Sequence, residues 1–208
     1  ADDDFSKNKS IAELTDWNIY SPVWAPVSLE DQWLKLQDKD PFDYAKVERK
    51  IPASKELKVS FDLKAGQNNK GTLQIEFLDE NGIACSRIEL TDDGIFRLKG
   101  GSRFANMMKY EAGKIYHVEA VLSTVDRNIQ VYVDGKRVGL RMFYAPVAAV
   151  ERIVFRTGVP RTFPTVDTPA DQTYDLPNAG AQDPLAEYGI ANVKTSSTDK
   201  DASSAFLK

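Results

Sequence analysis

Side chains suited to holding a sugar are concentrated between residues 156 and 175. The set combines arginines, aromatics and aspartates: Arg156, Arg161, Phe163, Asp171, Tyr174 and Asp175. Aromatic faces stack on sugar rings, and the planar guanidinium group of arginine binds a carboxylate through two parallel hydrogen bonds. The pattern favours binding of a glycan, including one that carries uronate groups. The alternative is that arginine–aspartate pairs only fix the path of a loop over the edge of the fold.

Two more candidates lie in segments that show no clean alternation, near the ends of predicted strands. They are Arg103 and Tyr144, and irregular segments at strand ends often carry binding residues. Together with Arg156, Arg161 and Tyr174 they form the predicted ligand-binding set.

Three aspartates in a short span could hold a hard cation. Asp38, Asp40 and Asp43 fall within the sequence LQDKDPFD, and calcium takes several oxygen ligands. A structural calcium ion is therefore one prediction for this segment. The spacing does not match an EF-hand, and the alternative is that these acids begin turns and cap strands.

Several catalytic arrangements are not supported. His117 is the only histidine in the chain, which excludes a multi-histidine metal centre, and we expect it to have a surface or packing role. Gly100 and Gly101 indicate a turn rather than a phosphate-binding loop. Strand acids such as Glu76 and Glu89 occupy outward positions, where charge is typical of a solvent-facing surface and not of a glycosidase pair. These residues favour a non-enzyme but leave catalysis open.

The composition is that of a globular chain with a small negative charge. Its 208 residues carry 27 lysines and arginines against 31 aspartates and glutamates, a formal charge of −4. This balance gives no general reason to bind nucleic acid, and no run of about 18 apolar residues predicts a membrane span. Cys85 is the only cysteine; no intrachain disulfide can form, and its alternating surroundings predict a buried thiol.

The elements that would position these side chains are β-strands. Residues 57–63 alternate apolar and polar side chains, as in a half-buried strand. Residues 115–142 repeat this pattern in three segments with a turn at Asp134-Gly135, which predicts a three-stranded meander. A meander needs a second layer to bury its apolar face. The sequence therefore predicts an all-β fold, a two-sheet antiparallel β-sandwich.

Other segments give less regular patterns. We expect residues 102–110 to cross one end of the sandwich as a loop or short helical turn, residues 145–150 to form one helical turn, and Trp33 to lie in the core. Residues 157–183, rich in proline and aspartate, predict a long loop. The expected organisation is a flexible N-terminus over residues 1–10, one sandwich domain over 11–194, and a polar C-terminal tail over 195–208.

The meander with its YVDGK turn, preceded by paired hairpins, resembles the laminin-G-like branch of the concanavalin A-like lectin/glucanase jelly rolls. Two longer segments, WLKLQDKDPFDYAKVERKIPASKELKVSFDLKAGQNNKGTLQIEFLDENG and ERIVFRTGVPRTFPTVDTPADQTYDLPNAGAQD, resemble accessory domains beside sialidase-like BNR-repeat proteins and polysaccharide lyases of bacteria. The glucanase relatives carry an E-x-D-x-x-E strand, and the alginate-lyase relatives carry Q-I-H together with an R-x-E-L-R type strand. We interpret neither as present, which argues against intrinsic catalysis.

The resemblance implies a jelly-roll sandwich that is secreted, periplasmic or on the cell surface and that acts in polysaccharide breakdown. It implies a glycan as partner, and a catalytic partner domain or protein. The expected role is carbohydrate recognition without cleavage. Two alternatives stay open: a structural module that packs on a catalytic domain without any ligand, and a weak hydrolase or lyase.

Overall fold

The computed structural model describes residues 1–41, 43–158 and 182–197. Over these residues the backbone forms one 3₁₀ turn, Ile11–Glu13, and fifteen β-strands, numbered β1 to β15 in chain order. The strands are Asp2–Asp3, Trp17–Tyr20, Val27–Glu30, Trp33–Asp38, Lys46–Ser54, Glu56–Ala65, Leu73–Leu78, Ala84–Leu90, Ile95–Gly100, Arg103–Lys109, Ile115–Ser123, Asn128–Val133, Lys136–Met142, Val150–Thr157 and Ala186–Ser197. No helix in these ranges is long and apolar enough to cross a lipid bilayer.

The strands form two antiparallel sheets, which confirms the predicted sandwich. The eight-stranded sheet has the order β13-β12-β11-β6-β15-β4-β3, with β1 added alongside β15. The seven-stranded sheet has the order β10-β9-β8-β7-β14-β5-β2. Consecutive strands pair in β11–β13, in β7–β10 and in β3–β4. The other neighbours, such as β6 with β15 and β7 with β14, come from distant parts of the sequence, as in jelly rolls.

The core lies between the two sheets. On β6, the predicted alternation places Leu57, Val59, Phe61 and Leu63 inward, and each is at most 2% exposed. The ring centroids of Phe61 and of Phe155, on the other sheet, are 5.1 Å apart, and the rings are nearly perpendicular. This is a favourable aromatic geometry. The alternating pattern in the sequence therefore indicates correctly which face of the strand is buried.

The predicted meander is confirmed by strands β11, β12 and β13, which are adjacent in the eight-stranded sheet. At its second turn, Asp134 and Gly135 have φ values of 49° and 77°. Two successive positive φ angles are what a tight two-residue hairpin requires, and aspartate and glycine tolerate them.

Two predictions about irregular segments are wrong. Residues 103–109 form strand β10 instead of a loop or helical turn. A bulge between Asn106 and Met108 shifts its register, which removes the alternation that would have marked a strand. Residues 145–149 form bends and no helical turn before β14 begins at Val150.

The two ends of the described chain are also more ordered than the sequence suggests. Phe5 lies within the segment predicted to be flexible, yet it is 2% exposed and its ring lies 5.8 Å from that of Trp17. Asp3 accepts a 2.6 Å hydrogen bond from Nε of Arg49. At the other end, β15 continues to Ser197, three residues into the predicted tail. Pairing of β1 with β15 satisfies the backbone groups of both segments.

Trp33 does not lie in the core. Its neighbours Leu34 and Leu36 are fully buried, so the alternation of β4 places Trp33 and Lys35 on the outer face of the eight-stranded sheet. The prediction was wrong because an indole was taken to be the apolar member of the pair, whereas the leucines fill that role.

Candidate functional site

The outer face of the seven-stranded sheet carries an unusual number of charged and aromatic side chains. They alternate with core residues along β5, β7, β8, β9, β10 and β14, and Tyr44 and Tyr144 join them from adjoining loops. We call this surface the polar sheet face, and it consists of Lys46, Glu48, Gln74, Glu76, Arg87, Glu89, Arg97, Lys99, Arg152, Arg156, Tyr44, Phe104 and Tyr144. It holds six cationic and three acidic groups, although the chain as a whole has a formal charge of −4.

Acidic side chains of the polar sheet face are buried beneath arginines. Arg87 donates a 2.7 Å hydrogen bond from Nε to Oε1 of Glu76, and Arg97 donates two hydrogen bonds to Oε1 of Glu89. Glu76 is 8% exposed and Glu89 is 4% exposed. The expectation that these acids face solvent is therefore wrong. They point outward, but paired guanidinium groups on the next strand cover them.

Arg156 lies at the middle of this network. Its Nη2 donates a 2.6 Å hydrogen bond to Oε1 of Gln74, and Gln74 in turn donates one of 3.2 Å to Glu89. The guanidinium carbon of Arg156 lies 5.2 Å from the ring centroid of Tyr44, within cation–π range. Its Nε is buried without a hydrogen-bond acceptor among the described residues. Arg156 is thus fixed in position with a donor still unused.

Tyr144 supplies an aromatic ring at the opposite part of the face. Nζ of Lys99 lies 4.5 Å from the ring centroid, and Cζ of Arg87 lies 5.9 Å from it. The backbone N–H of Tyr144 donates to the carbonyl of Cys85 at 3.0 Å. Burial raises the pKa of the Tyr144 hydroxyl to about 12, so this group stays protonated at neutral pH. Within the described ranges the hydroxyl is buried and has no hydrogen-bond partner, so the ring is the part of Tyr144 that serves the face.

A third aromatic ring borders the face on β10. Cζ of Arg97 lies 4.3 Å from the ring centroid of Phe104, and Nζ of Lys99 lies 5.8 Å from it. Arginine and lysine stems beside an aromatic ring make a surface that is apolar in one direction and charged in another. Such a surface can contact a sugar ring and an anionic substituent at once.

The structure brings together part of the predicted ligand-binding set. Arg156 and Tyr144 lie on the polar sheet face. Arg103 opens β10 opposite Gly100 and is exposed, outside that face. Arg161 and Tyr174, like Phe163, Asp171 and Asp175, lie outside the described residues and remain predictions.

The largest part of the polar sheet face was not predicted. Gln74, Arg87, Arg97, Lys99 and Phe104 alternate with core residues, so their pattern is that of an ordinary solvent-facing strand surface. The one available signal was charge on the outward positions of three consecutive strands, β7 to β9. Single strands could not show that opposite charges would pair across them.

Two strands of the polar sheet face match the alginate-lyase motifs in part, although the motifs were expected to be absent. Gln74-Ile75-Glu76 matches Q-I-H at its first two positions, and residues 87–91 read RIELT against R-x-E-L-R. The two segments are adjacent strands, and Glu76 pairs with Arg87. The histidine position of the motif is therefore occupied by a carboxylate bonded to arginine.

The aspartates predicted to bind calcium hold the backbone of a turn. Asp38 accepts a 2.9 Å hydrogen bond from the N–H of Asp40, and Asp40 accepts one of the same length from the N–H of Asp43. Burial raises the pKa of Asp38 above its usual value. In the part of the chain that the structure describes, no group of three or more acidic, histidine or cysteine side chains is placed to hold a metal ion. The geometry fits the turn-capping alternative, and calcium stays a prediction.

The remaining candidate groups lie away from the polar sheet face. His117 is on β11 of the other sheet, is 53% exposed at its side chain and contacts Asp62 at 2.7 Å through Nδ1, as expected for a surface histidine. Cys85 is fully buried, which confirms the prediction. Burial raises the pKa of its thiol to about 12.

Comparison with known proteins gives two close results. The family described as "Sialidase-like, CBM domain" matches residues 17–172. A solved structure titled "Sialidase" is 88% identical, with a TM-score of 0.91 over 98% of this chain. This chain covers 19% of that sialidase chain. No curated protein matches.

More distant structures share the fold alone. A structure titled "Prominent members of the human gut microbiota express endo-acting O-glycanases to initiate mucin breakdown" is 12% identical, with a TM-score of 0.65 over 94% of this chain and 97% of the other. The "Binding domain of Botulinum Neurotoxin DC in complex with SialylT" is 14% identical, with a TM-score of 0.53 over 86% of this chain and 42% of the other. Since the family match covers most of the chain, the protein belongs to the sialidase-like carbohydrate-binding-module family, with a concanavalin A-like jelly-roll sandwich.

Proposed function

We propose that this chain is a non-catalytic carbohydrate-binding domain and that it binds acidic glycans on the polar sheet face. The observation that carries the proposal is the excess of cations on that face, in a chain whose formal charge is negative. Three aromatic rings lie among those cations: Tyr44, Phe104 and Tyr144. Sugar carboxylates, as in sialic or uronic acids, supply the complementary charge.

The network explains how such a ligand would be held. Glu76 and Glu89 fix Arg87 and Arg97 on their strands, so little side-chain entropy remains to be lost on binding. A ligand carboxylate gains charge-assisted hydrogen bonds from arginines that are already in place. Arg156 and Tyr144 add a fixed guanidinium group and an aromatic ring, each held against a neighbouring group of the face.

The same geometry argues against catalysis by this face. The only histidine of the chain, His117, lies on the other sheet. The pKa of Tyr144 is raised to about 12, whereas a tyrosine that acts as a base needs a lowered one. The acids of the face, Glu48, Glu76 and Glu89, each contact an arginine. They stabilise the arrangement of the cations and lack the separated pair that a glycosidase needs.

The context proposed for this domain is support of a catalytic partner in bacterial polysaccharide breakdown outside the cytoplasm. Support comes from the sialidase structure, in which a segment 88% identical to this chain is about a fifth of a longer protein. A binding domain raises the effective concentration of an attached enzyme near its polymer.

The proposal is tested by screening the purified chain against acidic and neutral polysaccharides while product release is monitored. We expect binding of sialylated or uronate-containing glycans without new reducing ends. Product release that point substitutions on the polar sheet face abolish would support the hydrolase or lyase alternative instead.

A structural module is the second candidate function. Leu140 and Met142 on the edge strand β13 are 46% and 58% exposed, and exposed apolar side chains at a sheet edge suit packing against another domain. This candidate predicts an intact fold with no affinity for any glycan, and a loss of contact with the partner domain when both side chains are replaced by serine.

A further inference from the structure

The outer face of the eight-stranded sheet contains a second surface built around one tryptophan. Trp33 lies on β4, opposite Glu30 of β3, and the neighbouring strand β15 carries Gly189. A Cβ atom at Gly189 would lie 2.9 Å from Cε3 of Trp33, closer than such atoms approach in proteins. Gly189 has no positive φ. It is therefore the space taken by the indole, and not the backbone conformation, that requires glycine at this position.

A depression of about 240 Å³ opens beside this indole. Gly66 and Gly189 leave part of its floor without side chains, and its walls include Lys35, Lys64 and Glu187. Gly189 pairs with Lys35 on one side and with Lys64 on the other. The volume is below the roughly 300–1,000 Å³ of sites for drug-sized ligands, so it suits a single sugar ring.

The depression is bordered by three acidic groups and two lysines, in contrast to the cationic excess of the polar sheet face. Lys35 donates a 2.6 Å hydrogen bond to Glu30, and Glu187 accepts one of 2.7 Å from Gln37. Asp31 and Lys64 also border the depression. A ring surrounded by groups of both signs offers donors and acceptors to hydroxyl groups but no net attraction for an anion.

We propose that this depression is a second carbohydrate site, which holds one neutral pyranose residue, a hexose or an N-acetylhexosamine, against the indole of Trp33. The apolar face of a pyranose stacks on the ring, and its hydroxyl groups bond to Lys35, Lys64 and Glu187. The site lies on the sheet opposite to the polar sheet face. It therefore stands whether or not the acidic-glycan site does.

The experiment is a titration of the ¹⁵N-labelled chain with methyl β-galactoside, methyl β-glucoside and methyl β-N-acetylglucosaminide, followed by proton–nitrogen NMR. The chain has three tryptophans, and the variant Trp33→Phe identifies the indole signal of Trp33. We expect at least one sugar to shift that signal in a saturable way at millimolar concentration, with the other two indole signals unmoved.

Two variants and one control complete the test. Trp33→Ala removes the stacking surface, and Gly189→Ala displaces the indole without removing it; each should weaken binding about tenfold or more, equivalent to about 1.4 kcal/mol. For Trp33→Ala the shifts of neighbouring backbone amides report binding. Arg137→Ala removes an exposed side chain of β13, at the other edge of the eight-stranded sheet from β4, and should bind the neutral sugar like the unmodified chain. The proposal is overturned by any one of three results: no saturable shift with all three sugars, equal shifts of all three indole signals, or unchanged affinity in both Trp33→Ala and Gly189→Ala.

Discussion

Arg156 donates a 2.6 Å hydrogen bond from Nη2 to Oε1 of Gln74 on the neighbouring strand. Through Gln74 it joins Glu89 and Arg97, so one line of contacts crosses the strands β14, β7, β8 and β9. A cation held in this way keeps its position before any ligand arrives. Pre-organisation of this kind favours binding because the ordering cost has already been met by folding.

Replacing Arg156 by alanine is expected to weaken binding of an acidic oligosaccharide about tenfold or more, since a charge-assisted contact contributes about 1.5–3 kcal/mol. Isothermal titration calorimetry measures the loss. The matched control is Arg137→Ala, which removes an exposed arginine of β13 on the other sheet and should leave affinity unchanged. An equal loss in both variants would show that only overall charge matters.

Replacing Tyr144 by phenylalanine removes the hydroxyl and keeps the ring, so it tests what the hydroxyl contributes to binding and to stability. The hydroxyl is buried and has no partner among the described residues, so its removal should leave the melting temperature unchanged or slightly higher. Affinity for the acidic oligosaccharide should stay unchanged too, because the buried hydroxyl does not reach a ligand and the aromatic ring is kept. A clear drop in melting temperature would mean that the hydroxyl has a structural partner. Thermal denaturation and calorimetry on the same sample give both quantities.

Removing one partner of the Glu76–Arg87 pair should lower the free energy of unfolding more than removing both partners. Both side chains are nearly buried, at 11% and 14% exposed, so Arg87→Met leaves an uncompensated carboxylate and should reduce the free energy of unfolding by about 3–5 kcal/mol. The double variant Glu76→Gln/Arg87→Met removes both charges and should recover most of that loss. Urea denaturation measures each value. A double variant no more stable than the single one would contradict the assignment of the cost to the buried charge.

Cys85 should be chemically silent in the folded chain. It is fully buried, and the raised pKa, about 12, leaves about a thousandfold less thiolate than an ordinary cysteine at the same neutral pH. A disulfide reagent such as Ellman's should therefore react only after denaturant is added. Rapid reaction of the native chain would show that the segment around β8 opens readily.

Removal of calcium should not change the fold around Asp38, Asp40 and Asp43. All three carboxylates already accept backbone N–H groups of the turn, so they have hydrogen-bond partners without a cation. We expect the same melting temperature in calcium and in chelator. A drop in melting temperature with chelator, abolished by Asp40→Asn, would instead support the calcium site predicted from the sequence.

The sandwich could be predicted from the sequence because strands and turns are recognised from local patterns of residues. Leu57, Val59, Phe61 and Leu63 alternate with polar neighbours, and Asp134-Gly135 fits one kind of turn, so each element could be recognised alone. Strand β10 was not predicted because the extra residue at its bulge, near Met107, interrupts the two-residue alternation by which a strand is recognised. The outward position of Trp33 was not predicted because an amphipathic ring fits either face of a strand.

The candidate site could be predicted only in part, since its main property belongs to pairs of strands. Arg156 was identified as part of the cluster of arginines, aromatics and aspartates between residues 156 and 175, and Tyr144 from its irregular segment near a strand end. Glu76 and Arg87 meet only when β7 and β8 align in register, and neither strand alone shows that the pair would be buried. Cross-strand pairing depends on strand order and register, which cannot be inferred from the pattern of a single strand.

The central claim is tested most directly by calorimetric titration of the Trp33→Ala variant, which lacks the proposed neutral-sugar site, with sialyllactose and with lactose, which lacks the acidic sugar. We predict micromolar to millimolar binding of sialyllactose, weakened by added salt because the attraction is between charges, and at least tenfold weaker binding of lactose. Equal affinity for both sugars, or no dependence on salt, would contradict recognition of an acidic glycan by the polar sheet face.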